Sequence, residues 1–194
     1  MSVIIALKEN GVIYFGADTQ ATTSSSEKSL AMNDVKFKVQ RFDNGILAGF
    51  CGSAGSIDKI VLKNIFSTDE NGNLTKKHLV TETVPKLAAM LDEIQDEDDE
   101  DSMNISIILA HGANLYKIEP NLVVYKINEY TKSGSGSPYV DYAIDHYRDL
   151  PVKERLIKAL TESARRDPYV SGPFVLIDTK VLKYEIIDLG GENF

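Results

Sequence analysis

Apolar residues are arranged along the chain in short runs typical of strands and in longer repeats typical of helices. Residues 3–7 are continuously apolar and rich in β-branched side chains, which predicts a strand covered on both faces. Residues 57–65 instead repeat apolar side chains at helical spacing, which predicts a helix that packs on a core. Applied to the whole chain, these patterns predict strands over residues 3–7, 12–17, 35–42, 46–51, 105–110, 115–118, 122–127, 174–177 and 181–189.

Helices are predicted between the blocks of strands. They begin near residue 52 and near residue 80, and two more cover about residues 139–147 and 152–160. The polar segment 19–29 is predicted to be a loop, and Asn10-Gly11 and Asn44-Gly45 predict hairpin turns because Asn-Gly tolerates positive φ. Because both faces of each sheet must be covered, we predict an α+β fold with two stacked, mostly antiparallel sheets between two helix layers. This four-layer αββα sandwich would form one domain over residues 1–194.

Composition narrows the functional classes. The net charge of −8 leaves no basic stripe for phosphates, which argues against nucleic acid or an anionic membrane surface as a partner. The opening apolar run has about five residues, far fewer than the roughly 20 that span a bilayer, and it lacks the features of a secretory leader. The single cysteine, Cys51, excludes an internal disulfide. We therefore expect a cytoplasmic protein.

Metal and cofactor chemistry has little support in the sequence. The three histidines, His78, His111 and His146, are scattered and show no spacing typical of a metal site. The acidic run at residues 96–101 lacks the glycine of an EF-hand loop, so a solvated loop is favoured over a calcium site. We predict no cofactor and no metal.

The first predicted strand begins almost at the amino terminus, although terminal residues usually fray. A serine hydroxyl needs a nearby base to become a nucleophile. If Met1 is removed, Ser2 carries that base itself, because an α-amine has an ordinary pKa of about 7.7–8 and can accept a proton near neutral pH. Since Met-Ser is also a common way for a chain to begin, the terminus alone does not separate a catalytic role from an ordinary one.

Four stretches occur in order across residues 2–174: SVIIALKENGVIYFGADTQAT, KVQRFDNGILAGFCGSAG, SGSGSPY and RRDPYVSGPF. Together they resemble the β-type subunits of proteasomes and the bacterial two-component protease HslV, and the strand and helix blocks between them agree with that family. The resemblance implies the N-terminal-nucleophile (Ntn) hydrolase fold and peptidase activity.

The resemblance also implies a role for each matched residue. Ser2 stands where the family has its nucleophilic threonine, and Asp18 matches the acidic residue that holds a lysine. Lys38 is the preferred match for that lysine, with Lys36 as the alternative because it lies two residues away on the same strand face. Gly49 matches the glycine whose backbone N–H faces the developing oxyanion.

Three matches come later in the chain. Ser135, within the Gly-Ser-Gly segment, matches a serine that contacts the free amine. Asp167 and Ser171 match a pair beside the reaction centre, although one more residue separates them here than in the family. All three would support the nucleophile rather than attack the substrate.

A substrate pocket is expected around the strand that carries Gly49. Leu47 and Cys51 alternate with that glycine and would flank the pocket, with Ala21 at its side. Such a pocket would be apolar and of medium size. Cys51 itself is a poor candidate nucleophile, because it lies in an apolar strand without a neighbouring histidine.

The sequence thus favours a self-compartmentalised peptidase of the threonine type that uses serine. The resemblance implies a homo-oligomeric ring with six-fold or seven-fold symmetry, polypeptide substrates and an AAA+ ATPase unfoldase as partner. Two alternatives stay open. A chain that keeps Met1 would lack the amine base and act as a structural subunit, and an Ntn amidase would act on a small molecule, although this short chain lacks the large insertions of many such amidases.

Overall fold

The computed structural model describes residues 2–22, 28–30, 38–95 and 104–188. In chain order the strands are β1 (Ile4–Glu9), β2 (Val12–Ala17), β3 (Gln20–Thr22), β4 (Lys28–Leu30), β5 (Val39–Arg41), β6 (Leu47–Cys51), β7 (Ser106–His111), β8 (Asn114–Ile118), β9 (Val124–Ile127), β10 (Tyr130–Ser133), β11 (Phe174–Asp178) and β12 (Glu185–Ile187). The helices are α1 (Ala54–Lys63), α2 (Lys76–His78), α3 (Val84–Gln95), α4 (Val140–His146) and α5 (Val152–Arg166). A π-helical turn, Leu79–Thr83, joins α2 to α3, and a 3₁₀ turn, Ser137–Tyr139, precedes α4.

Most strands belong to two five-stranded sheets. Sheet 1 has the order β10-β1-β2-β11-β12, and sheet 2 has the order β5-β6-β7-β8-β9. Neighbouring strands in both sheets are antiparallel. The strands β3 and β4 form a separate antiparallel ribbon.

Three apolar clusters separate four layers. Between the sheets, Ile4, Phe15 and Ile108 are fully buried. The outer face of sheet 1 packs on α4 and α5, where Leu156 and Leu160 are fully buried. The outer face of sheet 2 packs in the same way on α1 and α3. The predicted αββα sandwich of two antiparallel sheets is confirmed.

Strand β1 shows why the opening run is continuously apolar. Ile4 and Ala6 face sheet 2, whereas Val3, Ile5 and Leu7 face the helices of the opposite layer. Because side chains alternate along a strand, a strand with both faces covered needs an apolar residue at every position. The chain just before β1 is therefore anchored between two cores.

Strand β10 is absent from the sequence predictions. Its residues Tyr130–Ser133 read Tyr-Thr-Lys-Ser, and its buried side chains, Thr131 and Ser133, are polar. A hydrophobic pattern therefore gives no signal here, and pairing with β1 determines the strand instead. The predicted loop 19–29 also needs correction, because it contains β3 and part of β4.

Other boundaries differ by a few residues. The predicted strand 35–42 is observed as Val39–Arg41, with residues 35–37 outside the described part of the chain. The second helical segment begins at Lys76, before its first predicted residue, because Thr75 caps it by accepting the His78 N–H. The acidic run 96–101 lies outside the described residues. Of the helices that the structure describes, none combines the length and apolar character needed to cross a bilayer.

Candidate active site

Ser2 is held at the end of sheet 1 by the loop that follows β10. The Ser2 N–H donates to Ser135 Oγ at 3.2 Å, and the Gly136 N–H donates to the Ser2 carbonyl oxygen at 3.1 Å. The pairing of β10 with β1 puts Ser133 opposite Ile4, which brings the following loop alongside residue 2. The structure thus brings Ser2 and Ser135 together, with residue 2 buried.

Gly134 allows this loop to lie directly against Ser2. Its φ is 99°, in the region that favours glycine. A Cβ added at Gly134 would lie 2.2 Å from the Ser2 carbonyl oxygen and 2.7 Å from its carbonyl carbon. Any larger residue would have to move the loop away from residue 2, and with it the Ser135 hydroxyl.

Asp18 connects the backbone after Ser2 to a lysine. Ile4 lies opposite Ala17 in the β1–β2 hairpin, so Asp18 comes to lie beside Val3. Its Oδ1 accepts the Val3 N–H at 2.8 Å, and its Oδ2 lies 2.6 Å from Lys38 Nζ. The structure therefore joins Asp18 and Lys38 in one ion pair next to the first strand.

The ion pair is almost completely shielded from solvent. The Asp18 side chain is fully buried and that of Lys38 is 13% exposed. Burial raises the pKa of the Asp18 carboxyl above its usual range, while the Lys38 ammonium and the N–H groups of Val3 and Gln20 oppose that rise. Lys36, the alternative lysine, lies outside the described residues. The Asp18 carboxylate therefore bridges the Lys38 ammonium and the backbone N–H of Val3, the residue that follows Ser2.

Asp167 lies at the end of α5, close to the same loop. Its Oδ1 accepts the Tyr169 N–H at 2.9 Å, and its buried Oδ2 has no hydrogen-bond partner in the described part of the chain. The Asp167 N–H donates to the Ser163 carbonyl at 2.8 Å, and Ser163 Oγ lies 3.1 Å from the Gly136 carbonyl oxygen. The last turn of α5 is thus bonded to the loop that holds residue 2.

Ser171 is placed less favourably. It is partly exposed in the segment between α5 and β11, and among the described residues its hydroxyl has no hydrogen-bond partner. The preceding residue, Val170, is buried against the helices of sheet 1. Among the residues that the structure describes, no hydrogen bond links Ser171 to the rest of the site.

Gly49 lies inside β6, and its position is explained by packing. A Cβ at Gly49 would lie 3.0 Å from Ile4 Cγ2, across the space between the sheets. The next residue, Phe50, donates its N–H to the Lys38 carbonyl on the β5 side. Because N–H groups along a strand point alternately to the two neighbours, the Gly49 N–H points to β7, where Ile108 is its partner. This placement argues against the expected role of Gly49 as oxyanion donor.

The residues predicted to line a substrate pocket have different surroundings. Leu47 is fully buried between the sheets, which leaves it no surface for a substrate. Cys51 ends β6, and its sulfur lies 3.3 Å from the position that a Cβ on Gly134 would take. Ala21 lies in β3, with its side chain outside the described residues. Of the two β6 residues, only Cys51 is next to the loop that holds Ser2.

Gly52 is a residue that sequence reasoning missed. It directly follows β6 with a φ of 146°, and a Cβ there would lie 2.6 Å from the Asn104 carbonyl oxygen. If the alternation of N–H directions along β6 continues by one residue, the Gly52 N–H points to the same side as the Phe50 N–H. At Gly52, that side lies beyond the end of β5. The signal available in the sequence was a glycine between a predicted strand and a predicted helix.

Taken together, the site offers a hydroxyl, a backbone nitrogen and a buried ion pair at one end of β1. These groups suit proton transfer and nucleophilic attack. Within residues 2–22, 28–30, 38–95 and 104–188, no three His, Cys, Asp or Glu side chains lie close enough to hold a metal ion.

The chain matches one known protein family over most of its length. The family model described as proteasome subunit matches residues 2–178, which include all the site residues named above. The chain belongs to the proteasome subunit family. Ser2 therefore stands at the first position of the proteasome subunit match, and Asp18, Lys38 and Ser135 all lie within it. Among curated proteins, no sequence matches the chain.

Solved structures of proteasome-like proteins share the fold at low sequence identity. BPH of Thiobacillus denitrificans, in complex with epoxomicin, is 16% identical with a TM-score of 0.70 over 96% of this chain and 99% of that chain. Anbu, an ancestral beta-subunit from Yersinia bercovieri, is 16% identical with a TM-score of 0.70 over 97% and 88% of the two chains. HslV of Trypanosoma brucei is 15% identical with a TM-score of 0.62 over 91% and 98%. These similarities support the proteasome-like fold.

Proposed function

We propose that the chain is a proteasome-type peptidase whose nucleophile is Ser2, exposed when the initiator methionine is removed. One observation carries the proposal: the residue 2 nitrogen is bonded to Ser135 Oγ, while the next backbone N–H is bonded to the carboxylate that binds Lys38. A hydroxyl, its own nitrogen and a buried ammonium thus share one end of β1. Membership of the proteasome subunit family supports peptide bonds as the substrate.

In the proposed reaction, the free α-amine of Ser2 takes the proton of its own hydroxyl as Oγ bonds to the substrate carbonyl carbon. The tetrahedral intermediate then loses its C–N bond, and the leaving amine takes the proton from the α-ammonium. Water adds to the resulting ester, giving a proton to the amine. The ester C–O bond then breaks, Oγ takes that proton back from the α-ammonium, and the acyl part leaves as a carboxylic acid. The Lys38 ammonium stabilises negative charge as it develops on Oγ.

The oxyanion needs a separate donor, for which we propose the Gly52 N–H in place of Gly49. Support comes from position: Gly52 follows Cys51 at the end of β6, whereas the Gly49 N–H faces β7 inside the sheet. A glycine also permits close approach of a substrate carbonyl to the backbone. Removal of one such donor typically lowers kcat by about 10²–10³-fold.

Intact mass and peptidase assays test the nucleophile. Mass spectrometry of the protein from its native host should show loss of Met1. Fluorogenic peptides should be cleaved by the wild type and by Ser67→Ala, a control that removes a serine bonded to His78 elsewhere in the fold. Ser2→Ala should lose at least about 10²-fold in rate, because the nucleophile is gone. Full retention of Met1, or equal rates for wild type and Ser2→Ala, would leave a structural subunit as the better interpretation.

A peptide epoxyketone provides a second readout. This class of compound has two electrophilic carbons and can bond both the hydroxyl oxygen and the α-amine of one terminal residue. Epoxomicin, bound by the related BPH structure, is a suitable probe. We expect one adduct per wild-type chain, located on Ser2 by peptide mapping, and none on Ser2→Ala. An adduct on Cys51 instead would contradict the proposal.

We also propose that the chain forms a homo-oligomeric ring of six or seven copies that works with an AAA+ ATPase unfoldase. Family membership supports assembly, and several large apolar side chains are exposed in the single chain: Leu62, Tyr142, Val181 and Ile186. Native mass spectrometry should give a multiple of six or seven chain masses. A monomer at all concentrations would contradict the ring. The cytoplasmic location stays a prediction.

A further inference from the structure

Strand β5 forms one edge of sheet 2 and directly follows Lys38. It pairs with β6 in antiparallel register, and the Phe50 N–H of β6 donates to the Lys38 carbonyl oxygen at 2.8 Å. Because backbone groups along a strand point alternately to its two sides, the N–H and C=O groups of Val39 and Arg41 point away from β6. At the edge of a sheet, such groups need a partner other than a strand of that sheet.

The Tyr184 hydroxyl is a partner for this edge. The Arg41 N–H donates to Tyr184 Oη at 3.0 Å, and the hydroxyl donates to the Val39 carbonyl oxygen at 3.1 Å. One side-chain oxygen thus satisfies an outward-facing donor and an outward-facing acceptor of β5. Arg41 Nη1 also donates to the Leu182 carbonyl oxygen at 2.9 Å. The segment that follows β11 is therefore bonded to β5 through two of its residues.

Tyr184 is itself anchored to sheet 1. At the start of its segment, the Thr179 N–H donates to the Ile13 carbonyl oxygen at 3.0 Å, and the Leu182 N–H donates to the Asp178 carbonyl oxygen at 3.0 Å. The Leu182 and Tyr184 side chains pack on the apolar cluster between the two sheets. The hydroxyl therefore holds β5 of sheet 2 at a position that sheet 1 determines.

The ion pair of the candidate site is a second link from the same stretch of chain to sheet 1. Asp18 directly follows β2 of sheet 1, and its carboxylate binds Lys38, the neighbour of Val39. A lysine side chain has many rotatable bonds, so its ammonium stays on a buried carboxylate only if the lysine backbone is held close by. Loosening of β5 would allow the Lys38 ammonium to move from Asp18 into water.

We propose that Tyr184 is a positioning residue for Lys38: its hydroxyl holds β5 against sheet 1, which keeps the Lys38 ammonium on the Asp18 carboxylate near Ser2. The contribution of this contact to catalysis rests on the proposed function, whereas its effect on the position of Lys38 does not. Tyr184 acts through Lys38 and not by contact with the substrate.

Chemical labelling of lysines tests the position of Lys38 directly, with or without peptidase activity. The wild type and Tyr184→Phe, which removes only the hydroxyl, are treated briefly with an acetylating reagent, and peptide mapping gives the acetylated fraction of each lysine. In Tyr184→Phe we expect Lys38 to be acetylated about tenfold faster, because loss of a hydrogen bond makes local opening of β5 easier by about that factor. An unchanged rate at Lys38 would overturn the proposal.

Lys117 is the matched internal reference for this experiment. It lies in β8 of the same sheet, binds Glu119 at 2.8 Å, and its side chain is 17% exposed, close to the 13% of Lys38. Its acetylation rate should be the same in the wild type and in Tyr184→Phe. An equal increase at Lys117 and Lys38 would show a general loosening of the protein and would overturn a specific role for the hydroxyl.

Tyr130→Phe is the matched control variant. It also removes a tyrosine hydroxyl, but one that donates to Asp141 Oδ1 at 2.9 Å rather than to β5. Lys38 should therefore be acetylated at the wild-type rate in this variant. Acetylation of Lys38 as fast as in Tyr184→Phe would mean that the contact with β5 is not the cause, and the proposal would fail.

Peptidase kinetics test the consequence for catalysis. Tyr184→Phe should lower kcat about tenfold with little change in KM, because Lys38 acts on the charge that develops on Oγ and not on substrate binding. Tyr130→Phe should keep the wild-type kcat. An unchanged kcat in Tyr184→Phe, or a raised KM in place of a lowered kcat, would overturn the link to catalysis. If wild-type Ser2 fails to react with epoxomicin, the proposed function fails, and the acetylation experiment alone decides whether Tyr184 positions Lys38.

Discussion

The Asp18 carboxylate accepts the Val3 N–H at 2.8 Å, so the buried acid of the site is bonded to the backbone directly after the proposed nucleophile. The other oxygen of the same carboxylate binds Lys38 at 2.6 Å. This relationship is built into the first hairpin. Asn10 and Gly11 form its turn with φ values of 51° and 78°, and the resulting register of β1 on β2 puts residue 18 beside residue 3.

Breaking the ion pair on one side should destabilise the protein strongly. Lys38→Ala leaves the buried Asp18 charge without its partner, which typically lowers the free energy of unfolding by about 3–5 kcal/mol. Adding Asp18→Asn removes that charge and should recover part of the loss, although neither variant should react with epoxomicin. Urea denaturation followed by circular dichroism measures both effects.

Lys63→Ala is the matched control for the ion-pair prediction. Lys63 binds Glu93 at 2.7 Å, but the two side chains are 52% and 67% exposed. Exposed pairs contribute at most about 1 kcal/mol, so this variant should be nearly as stable as the wild type. A loss in Lys38→Ala as small as that in Lys63→Ala would show that the Asp18 pair is not structurally important.

Glycine 134 should be irreplaceable for a steric reason. In Gly134→Ala the new methyl group would meet the Ser2 carbonyl at 2.2 Å, so we expect a loss of about 3 kcal/mol or more and no labelling of Ser2. Gly72→Ala shares the positive φ, 73°, but has open space around the new methyl. It should lose only about 1 kcal/mol. Thermal unfolding and epoxomicin labelling compare the two, and equal behaviour would contradict the steric argument.

The parts of the site that sequence predicted are those carried by strongly apolar strands. β1, β2 and β6 have continuous or alternating apolar residues, so the positions of Ser2, Asp18 and Cys51 relative to these strands followed from the pattern. Strand β10 could not be found in this way, since Thr131 and Ser133 are buried polar residues stabilised by pairing with β1. The loop that binds residue 2 was therefore known only from the resemblance.

Gly49, inside β6, and Gly52, directly after it, show a second limit of sequence reasoning. Gly49 and Gly52 are three residues apart, and either can serve a strand end. Only the hydrogen-bond pattern of the sheet distinguishes them. The bond from the Phe50 N–H to the Lys38 carbonyl oxygen determines the direction in which the Gly49 and Gly52 N–H groups point. Neither composition nor hydrophobic period carries that information.

The packing role of Gly49 leads to a prediction about its neighbours. In Gly49→Ala the added methyl would lie 3.0 Å from Ile4 Cγ2 and 3.3 Å from Phe15 Cε1. Overpacking of this kind lowers the free energy of unfolding by about 1–3 kcal/mol. Shortening Ile4 to Ala makes room for the methyl. The double variant Gly49→Ala/Ile4→Ala should therefore lose less free energy of unfolding than the sum of the losses in the two single variants. Strictly additive losses in urea denaturation would contradict direct contact across the sheets.

The buried thiol of Cys51 should make stability depend on alkaline pH. Burial raises the pKa of Cys51 from 9.0 to about 11 in the folded protein, so the unfolded chain ionises first. Stabilisation by the neutral thiol is complete below pH 9.0 and is lost as pH rises toward 11, by about 3 kcal/mol in total. The free energy of unfolding of the wild type should therefore fall relative to that of Cys51→Ala over this range, because alanine has no proton to lose. Other alkaline titrations affect both proteins alike, so the difference between them isolates the thiol. A difference that stays constant from pH 8.5 to 11 would show that the Cys51 thiol is accessible to water and would contradict its burial between the sheets.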